Sequence, residues 1–315
     1  MNYVVIGGAG FVGFHLSKAL IKRGYQVTLI DNLSNSKMDK DFTLLLKSSN
    51  VTFHNIDASS NKLKDILDRD SIVLNLAAIN GTESFYSRPF DVLSDSSLPS
   101  LSIPKACVLA SVKEYYYFGS SESYAGGVNL GYTDVPTKEN VPLIVENPEN
   151  PRWSYATAKI LGEVAALCAQ SQYGLQVGIF RLHNIYGPRM ETSHVVPDLI
   201  EKFSKGILEV FNCRHSRSFM YIDDAVKAIL ACIETGYLLR HPSRIVNIGS
   251  DQETTIFELA QMILRLKSTE GKIRCVNGHL GSVTRRLPDI TKMREFYKDN
   301  LLELPEGLNL MMKHS

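Results

Sequence analysis

Asn2-Tyr3-Val4-Val5-Ile6, followed at once by Gly7-Gly8-Ala9-Gly10-Phe11-Val12-Gly13, is the stretch that decides the fold. The apolar run reads as a short buried strand, the glycines fall at the spacing G-x-x-G-x-x-G, and the helical pattern of 14–23 comes next. Strand, glycine-rich turn and helix in that order make a dinucleotide cradle. Gly7 permits the tight turn, Gly10 lets a pyrophosphate approach the backbone, and Gly13 lets helix and strand pack closely. The helix start around Phe11 and Val12 offers free N–H groups and a positive dipole end to the phosphates. A second strand, 26–30, runs into Asp31-Asn32, where a carboxylate accepts hydrogen bonds from adenosine ribose hydroxyls. Asp31 also repels a 2′-phosphate and no arginine follows it closely, so NAD is favoured over NADP, with Lys37 as the residue against.

Outward from this unit the strand-helix rhythm of a doubly wound sheet continues. Residues 51–56 read as a strand ending at Asp57-Ala58, and 72–76 as another that carries Leu76 into Ala77-Ala78. Ligands sit at the carboxyl edge of such a sheet, so both ends face the cofactor, although Asp57 also suits a plain loop carboxylate. Residues 91–113 read as a helix with an irregular start, because Pro99 and Pro104 interrupt its apolar pattern. The aromatic strand 114–119 opens into Ser120-Ser121-Glu122-Ser123-Tyr124, where hydroxyls and a carboxylate stand at a strand end, able to act chemically or only to cap the backbone. Residues 127–152, rich in Gly, Pro, Asn and Glu, read as a surface excursion.

Trp153-Ser154-Tyr155-Ala156-Thr157-Ala158-Lys159 reads as helix, and the spacing puts Tyr155 and Lys159 on one face, about 5–6 Å apart at Cβ. A phenol titrates near 10 in water; an ammonium beside it favours the phenolate, which makes Tyr155 a candidate general base. By itself the pair also suits the surface of an amphipathic helix.

Bulk composition narrows the class. With 315 residues, 44% hydrophobic and 21% charged, the chain can build a large core in one big domain or two joined ones. A net charge of +1 with scattered Lys and Arg gives no field for a polyanion, so no nucleic-acid partner is expected. The five cysteines, at 107, 168, 213, 232 and 275, are isolated, with neither disulfide-framework nor zinc-ligand spacing. A reducing cytoplasm and no metal site are therefore expected. No run approaches about 18 uncharged apolar residues, so no membrane span is expected.

Six motifs in order, Gly7-x-x-Gly10-x-x-Gly13, Asp31, Leu76-Ala77-Ala78, Ser120-x-Glu122, Tyr155-x-x-x-Lys159 and Arg181-x-x-Asn184-x-Tyr186-Gly187-Pro188-Arg189, resemble the extended short-chain dehydrogenase/reductase family. More narrowly, they resemble its nucleotide-sugar epimerases, dehydratases and decarboxylases. The resemblance covers nearly the whole chain. It implies an α/β fold: a Rossmann-type doubly wound parallel sheet with a smaller α/β substrate-binding domain. The expected division is an NAD-binding part over 1–173, also receiving strands from 176–190 and 217–250, and a mainly nucleotide-sugar-binding part over 191–315. A homodimer through helices near 95–112 and 153–173 is implied as well.

The same resemblance implies site roles. Tyr155 takes the proton of the sugar C4 hydroxyl while C4 passes a hydride to NAD, Lys159 holds the nicotinamide ribose and depresses the Tyr155 pKa, and Ser120 hydrogen-bonds the C4 oxygen. Arg217 and Arg286, in Arg217-x-Phe219-x-Tyr221 and Arg285-Arg286-x-Pro288-Asp289, resemble diphosphate-binding segments, with Asn184 and Ser121 as further substrate contacts. Each arginine also suits a surface salt bridge. The 4-keto sugar can then be epimerised, dehydrated or decarboxylated. Glu122 matches the dehydratases and decarboxylases, but Ser121 stands where the 4,6-dehydratases carry an aspartic acid, which disfavours ordinary dehydration. Two alternatives stay open: a C4 dehydrogenase that releases the ketone, and a non-catalytic NAD-sensing protein. Departures at Asn212-Cys213-Arg214-His215-Ser216 and at Met190-Glu191-Thr192-Ser193-His194 prevent assigning the base or the sugar from any one relative.

Overall fold

The computed structural model describes residues 2–79, 81–268, 270–278 and 283–313. Its centre is a seven-stranded, all-parallel sheet in the order Ile245–Ile248, Val177–Leu182, Glu114–Ser120, Ser71–Asn75, Asn2–Ile6, Gln26–Asp31, Val51–Asn55. The strands read as unbroken apolar runs because both faces are covered. Alternate side chains serve different cores: Tyr3, Val5, Tyr116 and Phe118 belong to one, Val4, Ile6, Tyr115 and Tyr117 to the other. Helix Phe11–Lys22 and helix Ile222–Glu234 pack together on the first face, and helices Pro89–Leu109 and Trp153–Tyr173 pack together on the second.

Parallel strands connected by crossovers all finish at one edge, so the glycine turn, Asp31, Asp57, Leu76 and Ser120 converge there. The later chain adds small sheets above that edge. Ser216–Ser218 pairs with Glu253–Thr255 and, in parallel, with Arg285–Arg286, a register that sets Arg286 opposite Arg217. Ile185–Tyr186 pairs with Met220–Tyr221, and Glu209–Phe211 with Arg274–Val276.

Three expectations are corrected. The helix over 89–109 runs straight through Pro99 and Pro104; it is held by burial of Val92, Ile103 and Cys107 rather than by an unbroken hydrogen-bond ladder. The stretch 127–152 is irregular but anchored: Thr133 and Thr137 are buried, Thr137 N–H donates to the Leu287 carbonyl (2.8 Å), and Asp289 N–H donates to the Thr137 carbonyl (2.8 Å). The cysteines are not all isolated. Cys213 and Cys275 form a disulfide with Cα atoms 5.7 Å apart, although 62 residues separate them in sequence. Pairing of Glu209–Phe211 with Arg274–Val276 brings them together, which sequence spacing does not reveal, and the argument for a reducing compartment loses its premise. Among the described residues, no helix is long and apolar enough to cross a membrane.

Candidate active site

One groove of about 1920 Å³ follows the carboxyl edge of the sheet, from the glycine turn past Tyr155 to the arginines of the later chain. At its first end Gly7 has φ +81°, and a Cβ on Gly13 would stand 2.2 Å from the Gly7 carbonyl oxygen, so helix and turn meet where only glycine fits. A Cβ on Gly10 would meet only the Gly7 oxygen and Ser36 Oγ, at 3.3 and 3.8 Å; its other side opens on the groove. Helix Phe11–Lys22 begins right there, and its first amides have no intrahelical acceptor.

The end of the second strand is tied to this turn. Asp31 Oδ2 accepts from Ala9 N (3.0 Å), and Oδ1 from Leu33 N (2.8 Å). Burial raises the Asp31 pKa, and these bonds pull against it. Asn32 donates to Asp57 (2.9 Å), whose carboxylate also accepts from the Ser59 backbone and hydroxyl; those bonds hold its pKa below the ordinary value. Asp57 is thus a loop cap that also lines the groove, beside Ala58, Leu76, Ala77 and Ala78. The room at Gly10, the free helix amides and the Asp31 carboxylate fit NAD, with phosphates at Gly7–Gly13 and the adenosine ribose at Asp31. Arg189 flanks this end, with its guanidinium 3.9 Å from the Phe14 ring centroid and within bonding distance of Ala9 O (3.3 Å) and Asp39 (2.9 Å).

Helix Trp153–Tyr173 supplies the middle of the groove. Tyr155 is buried and stacks on Phe85 at 5.1 Å, and its phenol lies near the Ser120 hydroxyl. Ser120 Oγ accepts from Glu122 N (3.2 Å), so the hydroxyl near the Tyr155 phenol also caps the turn that carries Glu122. Lys159 Nζ lies 5.7 Å from the Tyr155 ring and donates to the Phe118 carbonyl (2.7 Å). The chain's own groups do not lower the phenol as the helical spacing suggests: burial raises it, the Glu122 charge raises it further, and the nearby Ser120 hydroxyl opposes them. Lys159 is itself pulled down to about 8 by burial, against the pull of Glu163.

At the far end Glu122 sits between two guanidiniums. Arg152 donates to Oε2 from both terminal nitrogens (3.2 and 3.1 Å), and Arg286 Nη2 lies 2.5 Å from Oε1. Burial pushes the Glu122 carboxyl up, but Arg286, Arg152 and Arg217 outweigh it and hold it below its ordinary value, so it is ionised at neutral pH. Arg217 is anchored to the carbonyls of Ser216 and Val283, both at 2.7 Å. Asn184 lines the groove in the left-handed region, φ +41°, with its buried Nδ2 unpartnered, and Ser121 is buried at the groove wall.

The residues singled out in the sequence therefore line one groove, and the arginines are not surface ion-pair partners. Arg152 escapes sequence reading, though a signal exists. It immediately precedes helix Trp153–Tyr173, where a cation meets the positive end of the helix dipole and is unfavourable unless an anion faces it.

Residues 3–249 match the family model described as "NAD dependent epimerase/dehydratase family". The chain is 30% identical over 303 residues to a UDP-N-acetyl-alpha-D-glucosaminuronate decarboxylase of Bacillus cytotoxicus, covering 93% of this chain and 90% of that protein. It is 28% identical over 334 residues to UDP-D-apiose/UDP-D-xylose synthase 1 of Arabidopsis thaliana, covering 92% and 85%. Among solved structures, a UDP-glucose 4-epimerase with UDP-glucose from Thermotoga maritima superposes with a TM-score of 0.85 at 26% identity, covering 100% and 98%.

Proposed function

The chain belongs to the NAD dependent epimerase/dehydratase family and is an NAD-dependent enzyme that modifies a nucleotide sugar; on that premise we propose that it oxidises C4 of a UDP-linked uronic acid and decarboxylates the resulting 4-keto acid. The observation that carries this reading is Glu122, ionised and clamped by Arg152 and Arg286 beside the Ser120–Tyr155 pair. Elimination of a hydroxyl needs a proton donor, and this pocket offers an ionised carboxylate and the Ser121 hydroxyl instead. A 4-keto uronate needs no such donor to lose carbon dioxide. The first curated relative above is named as a decarboxylase of a related uronic acid, which supports the same choice.

Ser120 and Tyr155 hold the C4 oxygen, and Tyr155 takes its proton. NAD, when bound, supplies the acceptor for the C4 hydride and a positive ring charge that favours the phenolate. Lys159 holds the nicotinamide ribose. In the 4-keto acid the C5–C6 bond breaks, carbon dioxide leaves, and the electron pair becomes an enolate whose oxygen remains at Ser120 and Tyr155. Glu122 relays the proton that C5 then regains from water. Arg217, Arg286, Asn184 and Ser121 hold the diphosphate and sugar. In this reading residues 1–173, with the strands Val177–Leu182 and Ile245–Ile248, hold NAD, and 191–315 mainly hold the nucleotide sugar.

We propose a homodimer through helices Pro89–Leu109 and Trp153–Tyr173, which expose Phe90 (77%), Leu101 and Val164 on one molecule. Leu101→Glu with Val164→Glu should shift the mass measured by light scattering from dimer to monomer; a wild type that is already monomeric would remove this assembly.

Mass spectrometry after incubation with NAD and UDP-linked uronic acids tests the reaction. Loss of carbon dioxide supports the proposal, alone where the hydride returns from NADH to C4 and together with two hydrogens where NADH retains it. An isomer of unchanged mass, loss of water, or loss of two hydrogens would replace it with an epimerase, a dehydratase or a C4 dehydrogenase respectively.

A further inference from the structure

Two arginines share the Glu122 carboxylate unequally. Arg152 commits both terminal nitrogens to Oε2, its side chain is 6% exposed, and its guanidinium lies 5.2 Å from the Trp153 ring centroid. Its position is fixed by a turn in which Asn150 accepts from Arg152 N through Oδ1 (3.1 Å) and from Trp153 N through its carbonyl (3.1 Å). Arg286 commits Nη2 alone, and its buried Nε has no hydrogen-bond partner. A buried donor without an acceptor is destabilising, so Arg286 has a bond to gain when an anionic oxygen enters the groove. Arg152 stays where it is.

We propose that Arg152 is a positioning residue, holding the Glu122 carboxylate in place and charged while Arg286 exchanges it for a substrate oxygen. This rests on the reading of Glu122 as the proton-relaying group given above. Among the described residues, six side chains face Glu122: Ser120 before it, Tyr86 from helix Thr82–Ser87, Tyr155, Arg152, Arg217 and Arg286. Arg152 and Arg286 reach its oxygens with the hydrogen bonds and ion pair given above, and Tyr155 is raised by the same negative charge. With Arg286 turned to substrate and Arg152 removed, Glu122 would be a buried carboxylate lacking a bonded cation, and such a group takes up a proton. It would then lose the acceptor oxygen that the relay needs.

The test compares kcat and KM against pH for the NAD-loaded wild type, Arg152→Ala, Arg152→Lys and Glu122→Gln on a UDP-linked uronic acid. Calorimetric binding of NAD and of UDP checks that each variant is folded. Arg152→Ala should lower kcat by about 30-fold or more, leave UDP affinity within about threefold, and move the acid limb of kcat up by about one pH unit or more. Arg152→Lys should return the limb most of the way. An acid limb that stays at the wild-type pH in Arg152→Ala, while Glu122→Gln is impaired, overturns the positioning role alone. Loss of UDP affinity with an unmoved limb likewise overturns it and makes Arg152 a substrate-binding residue. Wild-type kcat in Glu122→Gln overturns the relay reading, and the positioning role with it.

Discussion

The molecule buries two arginine–carboxylate clusters at the same edge of the sheet, and they are built to opposite rules. Arg181 donates from Nε and Nη2 to Glu163 at 2.6–3.1 Å, and from Nη1 to the Tyr124 hydroxyl (2.7 Å) and the Glu139 carbonyl (2.9 Å). Both partners are about 2–3% exposed. Glu122, in contrast, is a single carboxylate shared by two guanidiniums with a third nearby, and Arg286 Nε is left unpartnered. Most buried polar groups in a scaffold are satisfied, and each side-chain nitrogen of Arg181 is; Arg286 Nε is not. The first cluster ties the strand Val177–Leu182 to the helix of Tyr155. The second leaves a buried guanidinium donor open.

The largest effect expected from this contrast is on folding. Arg181→Met would leave Glu163 buried without its cation and should cost about 3–5 kcal/mol in urea unfolding. A loss below about 1 kcal/mol would mean that the two clusters are not different in kind. Tyr155→Phe should act on the other axis. Removing the proton acceptor should lower turnover by about 10³-fold, equivalent to about 4 kcal/mol. Melting temperature and NAD affinity should stay near wild type, because the ring retains its stacking on Phe85. Turnover within about tenfold of wild type would remove Tyr155 as the base.

Arg286→Met sharpens the comparison directly. Glu122 keeps both bonds from Arg152, so stability should change by no more than about 1 kcal/mol, while kcat/KM should fall by about 10²-fold. A large stability loss with intact kcat/KM would make this cluster a second scaffold pair.

The same contrast explains what was legible in the sequence. Strands buried on both faces carry their signal in their own residues, as 2–6 and 114–119 do. Gly7, Gly10, Gly13 and the Tyr155–Lys159 pair work through local spacing, which a sequence displays. The Glu122 clamp joins residues 122, 152 and 286, and the disulfide joins 213 and 275; both depend on which strands pair, which local spacing does not encode. Arg181 misleads in the other direction. It stands at the head of a motif full of groove residues, yet its side chain turns into the scaffold because the register sets it opposite Gly119, where Glu163 closes in. The prolines at 99 and 104 interrupt the apolar pattern in the sequence, but tertiary packing over the whole helix outweighs two missing bonds.

His183 lies next to Asn184 at the boundary of the two regions and gives the smallest and finest test. Its Nε2 is 3.1 Å from Asn247 Oδ1, which also accepts from the Tyr124 hydroxyl (2.8 Å). An amide oxygen only accepts, so Nε2 carries the proton and the buried Nδ1 has no partner. Burial pulls the imidazole down to about 3, and Arg181 and Arg286 add to this against the bond with Asn247. A base whose pKa is lower folded than unfolded binds fewer protons in the native state between about 3 and about 6.5. Stability therefore rises with pH across that window and is lost as pH falls through it, by up to about 2 kcal/mol at pH 5 from this residue. His183→Gln keeps a donor for Asn247 and does not titrate, so its stability loss between pH 7 and pH 5 should be smaller than that of wild type by about 1–2 kcal/mol. Equal losses would show that His183 is charged in the folded protein, which would put a third cation at the boundary and make the scaffold cluster as unbalanced as the one around Glu122.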